Sequence, residues 1–317
     1  MLWYDLSDDY VPYSQFNYLL DMDFVKNYKE FQSTGKKPTT KAINPHPFHY
    51  IHLKKECNLS GKKSILILVK SAVNNFHLRE AIRSTWGTSR GKNVEIVFLL
   101  AYNKENQLYV DAEVLLHGDI VQESFRDAYI NNTYKTIMGF NWAVQYCDEA
   151  SHVVFVDDDF YINVPNVLDY IDSFTALDTG DIMVGKLINS TPFRFFSKWR
   201  ISKELYPFDK WPPYVTGSAF IMSHEAVKKL AFAFPYVKYL WIDDVYIGLV
   251  ARKVGIEPLH ESRLDVLPYA MYKNPLQIAY GEFKTLLDFQ TVHRYLERYS
   301  RMEMCILTWK CQFAFLL

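Results

Sequence analysis

The chain has 317 residues, 49% of them hydrophobic and 22% charged, which is enough apolar sequence to bury one substantial core. Its 35 basic residues are nearly balanced by 36 acidic ones. A near-neutral chain is a poor candidate for nucleic-acid binding, because that binding depends on clustered lysine and arginine. Four cysteines are also too few for a small domain held together mainly by disulfides.

Residues 1–60 have no sustained hydrophobic periodicity and are predicted to form an irregular, stem-like extension. The first residues are acidic and lack a basic region, so the start is predicted to be neither a signal peptide nor a membrane anchor. The apolar tail at 305–317 is interrupted by Lys310 and is too short to cross a bilayer. No membrane span is therefore expected in this sequence.

Short apolar runs and helical segments alternate from residue 61 onward. The predicted elements are strands at 65–69, 94–100, 119–122 and 152–156, and helices at 77–86, near 104–116, and from a cap at Asn132 to about Cys147. This alternation predicts an α/β fold with a mostly parallel central sheet. We expect a catalytic domain over 61–290 and a divergent tail over 291–317, with the active site beyond the carboxyl ends of the strands.

The strongest candidate site is Asp157-Asp158-Asp159, which directly follows the apolar run at 152–156. Adjacent carboxylates repel one another, and a cation relieves that repulsion. Asp157 and Asp159 are two residues apart, so in an extended backbone their side chains lie on one side and can bind one hard cation, Mn²⁺ or Mg²⁺. The alternative is a solvated acidic turn.

A second acidic pair, Asp243-Asp244, has apolar residues on both sides. Partial burial would raise the pKa of a carboxyl group here toward values that suit a general base. The alternative is a helix N-terminus, where the helix dipole favours acidic side chains. The two interpretations are compatible.

Two further segments are candidates for ligand binding. Arg79 and Arg83 are four residues apart on one face of a predicted helix, where they could contact a nucleotide phosphate or ribose; the alternative is a solvated basic face. Trp211 and Tyr214 belong to a proline-rich turn that could line a sugar pocket or form an inert corner. The phosphate-binding patterns GxGxxG and GxxxxGK(S/T) are absent, so phosphate binding is expected to depend on a metal.

The sequence leaves the disulfide pairing open and gives only weak support for a lumenal compartment. Cys305 can pair with Cys311, or Cys57 with Cys147, and four cysteines allow three pairings in total. Triplets that can accept N-linked glycans begin at Asn58, Asn131 and Asn189.

Four sequence blocks occur in order along the chain: REAIRSTWG at 79–87, VFVDDDFYIN at 154–163, WPPYVTG at 211–217 and DDVYIG at 243–248. Together they resemble the successive blocks of the β1,3-glycosyltransferase family that includes galactosyltransferases and N-acetylglucosaminyltransferases. The resemblance spans about residues 65–257. Within that family, the segments FSKW and YPFDK most resemble those of the Brainiac-like β1,3-N-acetylglucosaminyltransferases.

The resemblance implies a GT-A type fold, in which a Rossmann-like UDP-sugar half and an acceptor half share a central sheet. It implies an inverting, metal-dependent hexosyltransferase that moves N-acetylglucosamine from a UDP-sugar in β1,3 linkage to a glycan, most specifically the mannose of a glycosphingolipid. It also implies a Golgi membrane location. The implied site consists of Asp157 and Asp159 for Mn²⁺ (or Mg²⁺) with Asp158 between them, Arg79 and Arg83 for the nucleotide, Asp244 with Asp243 for the base, and His260 as a further metal ligand.

Three alternatives stay open. The same residues suit a β1,3-galactosyltransferase that uses UDP-galactose and acts on a glycoprotein or glycolipid. A catalytically silent relative that binds UDP-sugar is favoured by the segment 261–268, where the family often has a Phe-His pair, and opposed by the intact acidic residues. A hydrolase is a weaker candidate, because glycosidases use a separated acid–base pair and no metal-bound diphosphate.

Overall fold

The computed structural model describes residues 22–60, 63–174, 180–265 and 274–308, the last eight of these by backbone alone. Its helices are α1 (Phe24–Thr34), α2 (Phe76–Arg83), α3 (Gln107–His117), α4 (Asn132–Tyr146), α5 (Val164–Asp172), α6 (His224–Ala233), α7 (Asp243–Lys253) and α8 (Leu286–Thr308). Its strands are β1 (Tyr50–His52), β2 (Ile65–Lys70), β3 (Val94–Tyr102), β4 (Ile120–Arg126), β5 (His152–Asp157), β6 (Tyr161–Ile162), β7 (Met183–Ile188), β8 (Tyr214–Ser223), β9 (Leu259–His260) and β10 (Ala279–Tyr280).

Eight of these strands form one sheet in the order β1-β4-β3-β2-β5-β8-β7-β9. The adjacent strands β4, β3, β2 and β5 run parallel, whereas β8 is antiparallel to both β5 and β7. The predicted α/β fold with a mostly parallel central sheet is confirmed. Because Lys70 of β2 lies opposite Asp157 of β5, the carboxyl ends of these two strands finish side by side.

Helices cover both faces of the central sheet, which explains why its strands are uninterrupted apolar runs. Leu66 and Leu68 of β2 pack into the core shared with α4, α6 and α7. Ile65, Ile67 and Val69 pack into the opposite core, shared with α2, α5 and α8. Every residue of β2 is buried, and each such aliphatic side chain contributes about 1.5–3 kcal/mol relative to an exposed one.

The predicted strands and helices of the central region agree with the structure to within a few residues. The strand predicted over 119–122 extends to Arg126 as β4, and the helix predicted over 77–86 ends at Arg83, where a separate 3₁₀ turn at Trp86–Ser89 follows. Asn132 is the first residue of α4, and Asn131 occupies the cap position without a capping hydrogen bond from its side chain. These shifts leave the order of the elements unchanged.

The segment before residue 61 is more ordered than predicted. The side chain of Asp23 caps α1, and the hydroxyl of Tyr28 donates to Glu225 of α6 at 2.9 Å. Asn44 is buried and donates to the hydroxyl of Tyr246 at 2.9 Å, while β1 adds an antiparallel edge to the sheet. The prediction of an irregular extension was wrong over α1 and β1, because their few apolar side chains are stabilised by tertiary packing rather than by local periodicity.

The C-terminal boundary predicted at residues 290 and 291 falls inside α8. Phe289 and Val292, on either side of it, are both buried in the core that α8 shares with α2. The hydroxyl of Tyr161 also lies 2.8 Å from Nδ1 of His293. The first half of α8 therefore belongs to the packed domain.

A disulfide joins Cys57 to Cys147, with the two Cα atoms 5.1 Å apart. This is one of the pairings that the sequence left open; the alternative pairing of Cys305 with Cys311 lies outside the residues whose side chains are described. The bond ties the chain ahead of β2 to the end of α4. Of the helices in the described ranges, none combines the length and the apolar character that a membrane crossing requires.

Replacing Cys57 and Cys147 together by serine should lower the free energy of unfolding by about 2–4 kcal/mol, because the bond closes a loop with a sequence separation of 90 residues. Urea titrations of the double variant and the oxidised wild type, followed by tryptophan fluorescence, would measure the difference. Equal midpoints with equal slopes would contradict a stabilising role for the bond.

Candidate active site

A cavity of about 380 Å³ opens where the carboxyl ends of β2 and β5 meet β8 and the start of α7. It brings together five of the residues singled out in the sequence, and a charged residue from the end of β2 joins them. The charged lining residues are Lys70, Asp157, Asp243 and Asp244, and the aromatic ones are Tyr129, Phe193, Trp199, Trp211 and Tyr214. The cavity thus has an acidic end and an aromatic wall.

Lys70 connects the acidic side chains of two distant segments. Its Nζ lies 3.0 Å from Oδ1 of Asp157 and 2.8 Å from Oδ2 of Asp243. Burial alone would lower the pKa of this ammonium group, since its side chain is only 5% exposed, but the two carboxylates more than offset burial and raise the pKa. Lys70 is therefore charged at any physiological pH and holds β5 and α7 in place.

The three carboxyl groups of the cavity differ in their acidity. Burial raises the pKa of Asp157 to about 7, against the effect of Lys70 and with the help of Asp243 and Asp159. Burial acts in the same direction on Asp243, but Lys70 and the hydroxyl of Thr136 outweigh it and lower the pKa of this carboxyl. Three carboxyl groups share one ammonium group, so the cavity is short of positive charge.

Asp244 has no lysine or arginine within ion-pair distance among the described residues and is suited to proton transfer. Burial and the neighbouring charge of Asp243 raise the pKa of Asp244 to about 6. Its Oδ1 accepts a hydrogen bond from the backbone N–H of Val245 at 2.8 Å. The carboxyl is partly exposed to the cavity, where a ligand hydroxyl can reach it.

Two glycines allow α7 to lie this close to β8. A Cβ on Gly248 would come within 2.4 Å of the Cβ of Tyr214, so a larger residue would push the helix away from the strand. A Cβ on Gly217 would lie 3.3 Å from Nζ of Lys70 and 3.5 Å from Oδ2 of Asp243. The close helix–strand contact leaves no room for a side chain at Gly248, whereas a Cβ at Gly217 would be a tight neighbour of the Lys70 ammonium group.

Asp158 points away from the cavity and supports it. Its Oδ2 accepts hydrogen bonds from the hydroxyl of Ser71 at 2.7 Å and the amide of Asn75 at 3.0 Å, and the side chain is buried. It thereby fixes the loop that follows β2. Asp159 is partly exposed and lies 3.8 Å from Nζ of Lys284.

Neither Arg79 nor Arg83 is in the cavity lining, and Arg79 contacts that loop from α2. Arg79 is fully buried, donates to Glu113 at 2.7 and 2.9 Å, and also donates to the hydroxyl of Ser71 and to backbone carbonyls of the loop. Arg83 forms ion pairs with Glu113 at 2.7 Å and Asp119 at 2.9 Å. Direct contact with a phosphate would break these bonds, and any help that Arg79 gives to a nucleotide site acts through the loop it holds. The nucleotide role of both arginines stays a prediction.

Trp211 and Tyr214 lie in the aromatic wall of the cavity, and their role in an acceptor pocket stays a prediction. Trp211 is mostly buried against the ring of Tyr206, with the ring centroids 4.0 Å apart. The hydroxyl of Tyr214 lies 3.1 Å from the hydroxyl of Ser190. Aromatic faces and fixed hydroxyls of this kind suit a sugar ring.

His260 is not in the cavity lining. Its Nδ1 accepts from the backbone N–H of Leu187 at 3.3 Å, and its Nε2 lies 3.9 Å from Asp265. Across the described parts of the chain, no three His, Cys, Asp or Glu side chains are arranged to hold a metal ion by themselves. The assignment of His260 as a metal ligand stays a prediction.

The residue that sequence reasoning missed is Lys70. The signal was present, because Lys70 ends the run Ile65-Leu66-Ile67-Leu68-Val69 and is the one charged residue in a fully buried strand. A charge at the carboxyl end of such a strand indicates a buried ionic partner. Its partners could not be identified without the pairing of β2 with β5.

Comparisons with known proteins agree with these observations. A family model described as galactosyltransferase matches residues 77–262. Beta-1,3-galactosyltransferase brn of Drosophila melanogaster is 42% identical over 201 residues, which make up 62% of this chain and 62% of that protein. Beta-1,3-galactosyltransferase 1 of Homo sapiens is 33% identical over 232 residues, or 70% of each chain. Lactosylceramide 1,3-N-acetyl-beta-D-glucosaminyltransferase of Rattus norvegicus is 28% identical over 249 residues, 74% of this chain and 66% of that protein.

The chain thus matches slightly less than two thirds of the length of the Drosophila relative. Among solved structures, a galactosyltransferase, LgtC in complex with donor and acceptor sugar analogs, has a TM-score of 0.40 at 12% identity, covering 73% of this chain and 96% of that one. The mannosyltransferase PcManGT from Pyrobaculum calidifontis, in complex with GDP-Man and Mn²⁺, has a TM-score of 0.36 at 14% identity, covering 75% and 62%. These distant likenesses assign no residue role.

Replacing Lys70 by methionine should lower the free energy of unfolding by about 2–3 kcal/mol at pH 7, because two carboxylates lose their counter-ion. In the variant, burial is no longer opposed by Lys70 and raises the pKa of Asp243, so this carboxyl takes up a proton as the pH falls toward 4 and the destabilisation shrinks there. Urea unfolding at pH 7 and pH 4 should therefore show the larger loss at pH 7.

The double variant Lys70→Met/Asp243→Asn is the matched control, and it should recover most of the lost stability at pH 7. An equal loss at both pH values, or no recovery in the double variant, would show that the effect comes from packing rather than from charge.

Proposed function

Because the chain belongs to the galactosyltransferase family, we propose that it is an inverting β1,3-hexosyltransferase that uses a UDP-sugar as donor. The observation that carries this proposal is the cavity itself, which joins the acidic ends of β5 and α7 to an aromatic wall. The acidic end would take the diphosphate side of the donor, and the aromatic wall would take the acceptor sugar. Both ends lie at the carboxyl edge of the parallel strands, where α/β folds bind ligands.

Asp244 is the proposed catalytic base. In one displacement step, the acceptor hydroxyl oxygen forms a bond to the anomeric carbon, the bond to the UDP oxygen breaks with its electron pair, and the hydroxyl proton moves to Asp244. Attack from the face opposite UDP turns an α-linked donor into a β-linked product. Asp243 is held ionised by Lys70, so it serves to position α7 and to keep the pKa of Asp244 raised.

Asp157 and Asp159 are proposed to hold Mn²⁺ or Mg²⁺. Asp159 is not in the cavity lining, but its charge helps to raise the pKa of Asp157, so the two carboxyl groups fit a cation in charge. Two carboxylates also leave coordination positions for diphosphate oxygens and water. A cation bound there would supply positive charge for the departing diphosphate.

The donor sugar and the acceptor are the finer part of the proposal. Two of the relatives are named as galactosyltransferases and one as an N-acetylglucosaminyltransferase acting on lactosylceramide. We propose N-acetylglucosamine as donor sugar and a glycolipid glycan, such as a β-mannoside, as acceptor. Galactose, with a glycolipid or glycoprotein acceptor, is the second candidate, supported by the names of the Drosophila and human relatives.

A lumenal location in the Golgi is supported by the disulfide bond and by the exposed sites that can accept N-linked glycans. The Cys57–Cys147 disulfide forms in an oxidising compartment, and cytosolic proteins rarely contain one. The side chains of Asn58 and Asn189 are exposed, as glycan acceptors must be. Membrane association, expected from the family, is part of this proposal.

Purified protein incubated with Mn²⁺, a soluble β-mannoside, and either UDP-N-acetylglucosamine or UDP-galactose should form product and release UDP with one of the donors. Chelation of the metal, or the change Asp157→Ala, should reduce the rate by about a hundredfold or more. Mass spectrometry of the product identifies the sugar. Metal-dependent UDP binding without turnover on any acceptor would instead identify a silent relative.

The rate should rise with pH through about 6 and then reach a plateau, because Asp244 accepts a proton only when it is ionised and its pKa is raised to about 6. A bound cation would move this midpoint lower. Asp244→Asn should abolish turnover while UDP still binds, as measured by calorimetry. A pH profile without this ionisation, or an active Asp244→Asn enzyme, would remove Asp244 from the role of base.

A further inference from the structure

The connection between β7 and β8 presents an exposed aromatic surface at the mouth of the cavity. We call residues 193–203 the mouth segment. At its tip, Phe195 is 75% exposed and Phe196 is fully exposed, while Phe193 and Trp199 on either side are partly exposed. Adjacent aromatic side chains open to solvent on a folded protein mark a contact surface for an apolar partner.

The mouth segment is held firmly at its base. Ile201 is buried, and its backbone N–H donates to the carbonyl of Phe193 at 2.8 Å. The guanidinium of Arg194 donates to the carbonyl of Ile201 at 3.1 Å, to that of Tyr206 at 3.0 Å and to that of Phe208 at 2.5 Å. The outward position of the tip is therefore set by an organised turn.

The backbone at Phe196 is in the left-handed region, with φ at +29°. A side chain with a Cβ is disfavoured there, and glycine is the residue that adopts this conformation readily. The chain thus places a phenylalanine where local structure favours glycine. Such local conflict is typical of positions that are used for function.

Positive charge lies directly beside the exposed rings. Lys198 and Arg200 are both exposed, and Nζ of Lys198 lies 4.5 Å from the ring centroid of Trp199 and 5.2 Å from that of Tyr129. Phenylalanine rings next to lysine and arginine suit the boundary of a bilayer, where the rings enter the acyl region and the cations meet the lipid phosphates.

The mouth segment is continuous with the proposed acceptor site, since Phe193 and Trp199 also line the cavity. We propose that Phe195 and Phe196 insert into a phospholipid bilayer, with Lys198 and Arg200 on the lipid phosphates, so that the cavity opens at the membrane surface. This contact would deliver a membrane-bound acceptor to Asp244. The delivery of an acceptor to Asp244 rests on the proposed function. The bilayer contact itself can be measured by a binding experiment that needs no enzyme activity.

The test compares wild type with Phe195→Ser/Phe196→Gly by sedimentation with phosphatidylcholine vesicles, with and without phosphatidylserine. The wild-type protein should bind to one or both kinds of vesicle. The variant should bind about tenfold or more weakly, because each phenylalanine ring buried in the acyl region adds to the free energy of membrane binding. The thermal midpoint should not fall, since both side chains are exposed and glycine suits the φ of residue 196. Leu115→Ser/Leu116→Ser removes two exposed apolar side chains from α3, outside the cavity lining, and should bind like wild type.

No vesicle binding by wild type, or equal weakening in the α3 variant, would overturn the proposal. Activity provides a separate readout: the tip variant should keep the wild-type rate on a soluble β-mannoside and lose about tenfold on the same glycan carried by a lipid in vesicles. An equal loss on both acceptors would also overturn it. If neither acceptor is glycosylated, the proposed function fails, and the sedimentation result still decides whether the bilayer contact exists.

Discussion

The buried ammonium group of Lys70 is the interaction on which the candidate active site depends. It bridges Asp157 at the end of β5 and Asp243 at the start of α7, two segments that are distant in sequence. The parallel pairing of β2 with β5 fixes one half of this bridge, because it places Lys70 directly opposite Asp157. The close contact of α7 with β8 at Gly248 fixes the other half. Burial makes the arrangement costly to break, since each carboxylate would otherwise lack a counter-ion.

The same lysine gives two adjacent aspartates different chemistry. Asp243 accepts from Lys70 at 2.8 Å and from the hydroxyl of Thr136 at 3.2 Å, so its negative charge is stabilised. Within the described ranges, no lysine or arginine pairs with Asp244, and burial together with the charge of Asp243 raises its pKa. Environments that push the pKa values of neighbouring acids apart are how a protein assigns separate roles to identical side chains.

Much of the fold and part of the site could be predicted from the sequence. The strands β2, β3 and β5 were predictable because strands buried on both faces leave continuous apolar runs, and the acidic residues were predictable because they directly follow such a run. The role of Arg79 was not predictable, because helical spacing indicates a shared face but not whether that face meets a ligand or Glu113. The order of the segment before residue 61 was also missed, since Tyr28 of α1 and Asn44 beyond it are stabilised by contacts with residues roughly two hundred positions away.

The connection between β7 and β8 carries three of the five aromatic residues of the cavity wall and the whole mouth segment, yet it contributes no strand to the central sheet. The residues proposed for metal binding and proton transfer come from β5, the turn after it, and the start of α7, which are fixed by the core. In the proposed function, acceptor recognition and catalysis thus depend largely on separate parts of the chain. A protein divided in this way can change its acceptor by exchanging one surface loop, which makes residues 189–213 the natural unit for grafting when an enzyme with a new acceptor is to be engineered.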